Sequence, residues 1–103
     1  MAAQNPQRLQ ALYELIAEIQ DPRDIEALLE DLCTRKEVEN MAERIYAARL
    51  LMEGKTYSQV MAQSSISSAT LSRVSRCVQY GSGYSRLLHT QVPEDETPGK
   101  LSH

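Results

Sequence analysis

Apolar residues recur every three or four positions along the first third of the chain, which is the spacing of a helix with one apolar face. The spacing predicts a first helix from about Pro6 to Ile19. A second helix is predicted to begin at Pro22, because Asp21 is a favourable N-cap and proline fits the first helical position. The two apolar faces comprise Leu9, Leu12, Tyr13, Ile16 and Ile19, and then Ile25, Leu28, Leu29 and Leu32.

The segment TRKE predicts the start of the longest helix, with Thr34 as N-cap and Glu37 completing a capping box. This helix is predicted to reach about Glu53, where Gly54 supplies the left-handed residue that commonly ends a helix. Its apolar residues lie on two faces, so it must be covered on more than one side, by the rest of the domain or by a second subunit. One face carries Val38, Met41, Ile45, Ala48 and Met52, and the other carries Ala42, Tyr46 and Leu50.

The segment from about 56 to 80 has the pattern of two short helices joined by a tight turn. Thr56 is the predicted cap of the first helix and Ser67 the predicted cap of the second. The polar turn SSIS lies between them, with Ile66 plugging the angle between the two helices. This arrangement is a helix-turn-helix. Its predicted inward-facing residues are Val60, Met61, Leu71, Val74 and Val78.

A break of two glycines, YGSGY, follows, and a short helix is predicted from about Tyr84 to His89. No stretch shows the alternation that is typical of a strand. The predicted fold class is therefore all-α. Residues 1–90 are predicted to form one domain, and residues 91–103, which are rich in proline and acid, a flexible acidic tail.

The charge is distributed unevenly along the chain, whose net charge is −3. Residues 1–53 carry six basic and eleven acidic groups, whereas residues 54–92 carry no acid. A polyanion responds to the local field rather than to the total charge, so this segment is suited to meet nucleic acid. Its four basic residues are Lys55, Arg73, Arg76 and Arg86.

The second helix of the helix-turn-helix would enter the major groove of DNA with its N-terminal residues foremost. Small hydroxyl and methyl groups there can contact base edges, and arginines further along can reach phosphates. The alternative is that the Ser-rich helices are simply a solvated surface. The residues predicted to contact double-stranded DNA are Lys55, Thr56, Tyr57, Ser58, Ser67, Ser68, Ala69, Thr70, Ser72, Arg73 and Arg76.

Other classes of protein find little support in the sequence. The start MAAQNPQRLQ lacks the features of a secretory signal, and no stretch has the length of a membrane span, so a cytoplasmic location without membrane contact is expected. Cys33 and Cys77 are then expected to be free thiols rather than a disulfide or a metal site. No set of nucleophile, base and orienting residue is present, so neither enzyme activity nor a cofactor is predicted.

Three stretches together resemble the Trp-repressor-like proteins of the YerC/YecD family: DLCTRKEVENMAERIYAARLLMEGKTYSQV, SSATLSRVSRC and the YGSGY end. The resemblance covers about Leu9 to Leu88. It implies a six-helix fold with a helix-turn-helix, an intertwined homodimer, and a function as a DNA-binding regulator. Such a dimer would present its two recognition helices to half-sites about one DNA turn apart.

The resemblance also implies a position for a small ligand. Thr34, Arg44 and Arg73 match the residues that hold the corepressor in the tryptophan repressor. Val74 stands where the repressor has a glycine, however, and Cys77 where it has a serine. Both departures count against tryptophan as a ligand, and no other effector is assigned.

Each of these residues also has a purely structural interpretation. Thr34 is expected to act simply as a helix cap, and Arg44 to pair with Glu37 or Glu43. Cys77 is expected to be a small buried apolar group, and the methionines Met41, Met52 and Met61 core filler. The alternative function is that of a protein-interaction module that keeps the helix-turn-helix scaffold but does not read DNA.

Overall fold

The computed structural model describes residues 5–88, and all its regular elements are helices. The predicted all-α fold is therefore confirmed. Both the predicted acidic tail, 91–103, and His89 lie outside the described residues. The six helices are α1 (Pro6–Glu18), α2 (Pro22–Leu32), α3 (Arg35–Met52), α4 (Tyr57–Gln63), α5 (Ser68–Tyr80) and α6 (Gly83–Leu87).

The chain forms two units, and the boundary falls within α3, between Val38 and Glu39. Of the first unit, residues 5–38 are described, and no side chain among them is buried. The apolar faces of α1 and α2 are half-buried or exposed; Tyr13 retains 57% of its accessible surface and Leu32 retains 55%. The single domain predicted over residues 1–90 stays a prediction.

The second unit has a compact apolar core within residues 39–88. The core combines the C-terminal half of α3 with the inward faces of α4 and α5 and with the turn between them. Four of the five predicted inward-facing residues of the helix-turn-helix are buried or half-buried, as is the turn residue Ile66. The buried apolar residues are Ala47, Ala48, Leu50, Val60, Ile66, Leu71 and Val74.

The predicted inward position of Met61 is wrong, since this side chain is 39% exposed. Helix α4 has only seven residues and turns one narrow face to the core. Val60 occupies that face, and the next residue points about 100° away from it because a helix has 3.6 residues per turn. On α3, Ala42 and Ile45 were also expected on faces covered by the domain or by a second subunit, and both are exposed in the single chain.

The predicted helix starts are confirmed by hydrogen bonds. The Thr34 backbone N–H donates to Glu37 Oε1 at 2.8 Å, and the Glu37 N–H donates to Thr34 Oγ1 at 3.1 Å. Thr56 forms an equivalent capping box with Gln59, at 2.8 and 3.2 Å. These caps satisfy backbone donors that have no partner within the helix. Gly54, with φ of 96°, makes the left-handed turn predicted for it.

Helix α2 begins at a third cap, which carries a charge. The Arg23 guanidinium lies 3.1 Å from Asp21 Oδ2, and the Arg23 backbone N–H donates to Asp21 Oδ1. These two bonds, the side-chain bond first, hold the pKa of Asp21 below its ordinary value. The pKa of Asp21 is lower in the folded chain than in the unfolded chain. Any contribution of this carboxylate to the free energy of unfolding is therefore present above the unfolded pKa and is lost as the pH falls through the folded pKa. An exposed pair of this kind contributes little.

Adjacent residues on α4 provide a matched test of the core. Val60→Ala should lower the free energy of unfolding by about 1–3 kcal/mol, because it removes buried methyl groups and leaves a cavity. Met61→Ala should cost less than about 1 kcal/mol, because its side chain is largely exposed. Chemical denaturation of both variants checks this. Equal losses would contradict the assigned faces of α4.

Candidate nucleic-acid interface

Helices α4 and α5 form a helix-turn-helix with chemically distinct faces. The inward face consists of Val60, Ile66, Leu71 and Val74, all buried. The outward face of α5 is mainly polar, with Ser68, Ser72, Arg73 and Arg76 exposed, whereas α4 also exposes Tyr57 and Met61. The burial of one face therefore decides which residues the other presents to solvent.

The residues predicted to contact DNA lie within 55–76 and most of them are exposed. Lys55 and Thr70 are the two that are half-buried. Arg73 and Arg76 are both exposed, and neither forms an ion pair with a residue of the described chain, 5–88. Both guanidinium groups are thus free to meet an anionic partner. The exposed members of the set are Thr56, Tyr57, Ser58, Ser67, Ser68, Ala69, Ser72, Arg73 and Arg76.

Some hydroxyl groups of this surface are already used within the fold. Ser67 Oγ accepts the backbone N–H of Thr70 at 3.2 Å, and its own hydroxyl donates to Thr70 Oγ1 at 3.0 Å. Within residues 5–88, the hydroxyls of Ser58, Ser68 and Ser72 have no such partner. These three hydroxyl groups can therefore still donate and accept hydrogen bonds.

The turn between α4 and α5 is tied to α3. The backbone N–H of Ser65 donates to Glu43 Oε1 at 3.0 Å. The expected pairing of Arg44 with Glu37 or Glu43 is not formed within residues 5–88. Adjacent residues of a helix do not face each other, and Glu37 lies about two turns from Arg44. The contact between residues 43 and 65 was not predicted. Nothing in the local sequence indicates it, since the two residues are 22 positions apart.

A cavity of about 420 Å³ lies beside α5 in the second unit. It brings together four of the five predicted ligand residues. The fifth, Thr34, lies in the first unit, where it caps α3. A cavity of this volume is in the range of small-molecule sites. Its lining consists of Arg44, Thr70, Arg73, Val74, Cys77, Gly81, Gly83 and Tyr84.

The last three lining residues were not predicted as ligand contacts. They belong to the turn after α5 and to α6, which packs against α5. A Cβ atom at Gly81 would lie 2.8 Å from the carbonyl oxygen of Cys77, so the close approach of the backbone requires glycine there. The two glycines of YGSGY were the sequence signal that could have indicated that the chain turns back here and packs α6 against α5. Cys77 is half-buried in the cavity wall, and its thiol is free, as is that of Cys33.

Within residues 5–88, none of the helices combines the length and the apolar content that a membrane span requires. No group of three or more metal-ligating side chains comes together in the same part of the chain.

The comparisons with known proteins agree with this architecture. The profile of the Trp repressor protein family matches residues 7–92. The chain is 36% identical over 89 residues to the uncharacterized protein YerC of Bacillus subtilis (strain 168), and the match covers 86% of each protein.

Two crystal structures are similar to the chain, each with a TM-score of 0.77 over 82% of it. One is a candidate Trp repressor from Staphylococcus aureus, 29% identical and covered over 85% of its length. The other is a TrpR-like protein from Eubacterium eligens ATCC 27750, 32% identical and covered over 88%. With the six helices and the helix-turn-helix described above, these similarities show that the chain belongs to the Trp repressor protein family.

Proposed function

We propose that the protein is a cytoplasmic transcription regulator that binds double-stranded DNA sequence-specifically as a homodimer, without tryptophan as corepressor. The observation that carries this proposal is the outward face of α5. There Ser68, Ala69 and Ser72 are small and exposed, and Arg73 and Arg76 are exposed without an ion-pair partner in residues 5–88.

The chemistry of this face suits the major groove. Small residues at the N-terminus of a recognition helix allow close approach to base edges, and the following arginines can contact phosphates. The absence of Asp and Glu from residues 54–92 avoids repulsion by the phosphate backbone. Membership of the Trp repressor protein family supports the same function.

The homodimer is supported by the apolar surface of the protomer. Residues 5–38 contain no buried side chain, and α1 and α2 expose large apolar groups such as Tyr13, Ile16 and Leu32. A 440 Å³ groove in the same unit is lined by Ile25, Leu29 and Val38, among others. Soluble proteins rarely leave so much apolar surface exposed, and an intertwined second subunit would cover it.

The independence from tryptophan is proposed from two positions in the cavity wall. The branched side chain of Val74 stands beside Arg73, and Cys77 lacks the hydroxyl that would suit a ligand amine. The cavity leaves room for a small molecule, so the argument rests on its shape and hydrogen-bonding groups rather than on its volume. A ligand shifts DNA binding only through a difference in its affinity for two arrangements of the protein.

We expect the melting temperature to rise with protein concentration, because unfolding an obligate dimer releases two chains. Sedimentation at micromolar concentration should find the dimer. Ile16→Glu, which places a charge on the apolar face of α1, should shift the equilibrium towards the monomer, whereas Gln7→Glu on the same helix should not. A stable monomer of the wild-type chain would contradict the proposal.

We expect duplexes selected from a random library to bind with an affinity that falls steeply as salt rises. Arg73→Ala should weaken this binding by about 1–3 kcal/mol and leave the melting temperature nearly unchanged, because the side chain is exposed. Titrations over a range of salt concentrations measure both effects.

The matched control for charge is Arg23→Ala, which removes the same side chain from an exposed position on α2. It should leave the affinity for DNA within about twofold. Unfolding of the Arg73→Ala variant would show that Arg73 is structural. Failure of the wild-type chain to bind any duplex would favour the protein-interaction module, since that function needs no affinity for DNA.

We expect millimolar tryptophan to produce no heat of binding in calorimetry and no change in the affinity for DNA. The double variant Val74→Gly with Cys77→Ser should lose ligand-independent DNA binding, because the branched side chain no longer packs in the core beneath the recognition helix. Detectable heat with the wild-type chain, or an affinity for DNA that rises several-fold with tryptophan, would contradict the proposed independence from tryptophan.

A further inference from the structure

The backbone N–H of Ser65 lies in the turn that joins α4 to α5, three residues before α5 begins. Helix α4 has already ended there, because the Ser64 N–H makes its last hydrogen bond, to the Val60 carbonyl. The Ser65 N–H therefore has no acceptor within a helix, so its partner must be a side chain or water.

That partner is a side chain of a different helix. Glu43 projects from α3, and its Oε1 accepts the Ser65 N–H at 3.0 Å. Glu43 is half-buried, the bond itself is exposed to solvent, and both residues belong to the second unit. A bond from a backbone N–H to a carboxylate is stronger than one between neutral groups. It joins the turn directly to the helix that supplies Ala47, Ala48 and Leu50 to the core.

The charge of Glu43 has the wrong sign for a DNA-binding surface. Residues 54–92 contain no Asp or Glu, yet the fold places the Glu43 carboxylate against this segment. A negative charge close to phosphates lowers the affinity for DNA. The useful property of Glu43 is therefore its ability to accept a hydrogen bond, which an uncharged amide oxygen shares.

We propose that Glu43 is a positioning residue for DNA binding: it holds the turn at Ser65, and thereby sets the place from which Ser68, Ala69 and Thr70 meet the duplex. The inference rests on the proposed DNA-binding function. It assigns to α3 a direct part in orienting the recognition helix, in addition to its contribution to the core.

The test compares Glu43→Gln with Glu43→Met, two uncharged side chains of similar length. Glutamine keeps an oxygen acceptor, whereas the methionine thioether is only a weak one. Well below the melting temperature, the Gln variant should bind DNA at least as tightly as the wild type. The Met variant should bind about three- to tenfold more weakly than the Gln variant, the scale of one hydrogen bond.

Glu53→Gln is the control for charge, because Glu53 is exposed and lies just after α3. If Glu43 acted through charge alone, Glu43→Gln, Glu43→Met and Glu53→Gln would all change the affinity in the same way. Equal affinities of the Gln and Met variants at position 43 would overturn the proposal.

Hydrogen exchange at the Ser65 amide supplies a second measurement that needs no DNA. Exchange should be faster in the Met variant and close to the wild-type rate in the Gln variant. The exchange rate reports on the hydrogen bond of the turn independently of DNA binding. If no duplex binds, the proposed function fails, and faster exchange confined to the Met variant would still support Glu43 as the anchor of the turn. Unchanged exchange in the Met variant would overturn that role.

Discussion

The burial of two alanines of α3 in the apolar core underlies the arrangement of residues 39–88. Ala47 and Ala48 are fully buried and share one cluster with Val60, Leu71 and Val74. Interiors are packed at nearly crystalline density, so a larger side chain at either alanine would push the neighbouring helices outward. The orientation of α5, and with it the direction of its polar face, depends on this contact.

The two units differ in how much apolar surface they remove from water. Residues 39–88 remove their central apolar side chains from water, whereas no side chain of residues 5–38 is buried. The helices of the first unit are defined at their starts by polar caps, Asn5 for α1 and Asp21 for α2. Caps determine where a helix starts but remove little apolar surface from water, so they cannot replace a core.

Local signals made much of the fold predictable. The helix caps at Thr34 and Thr56 and the left-handed Gly54 each depend on neighbours within a few positions, and the sequence displays them directly. The wrong prediction concerns the face on which a helical residue lies. Met61 follows a core residue but faces solvent, because two turns of helix leave room for one narrow apolar face.

The candidate site shows the same division. Its outward residues could be read from the helix period, whereas the bond between Glu43 and Ser65 joins positions far apart in the chain. The position of Tyr84 in the lining of the cavity likewise depends on how α6 packs against α5. Contacts between distant segments arise from packing, and the pattern of one segment does not contain them.

Two positions of α5 belong to both of its surfaces, and this limits how the helix can vary during evolution. Thr70 and Arg73 line the cavity as well as the polar face, so a substitution at either alters two surroundings at once. Ser68, Ala69 and Ser72 are exposed and do not line the cavity. Substitutions at these three positions therefore leave the residues by which α5 lines the cavity unchanged.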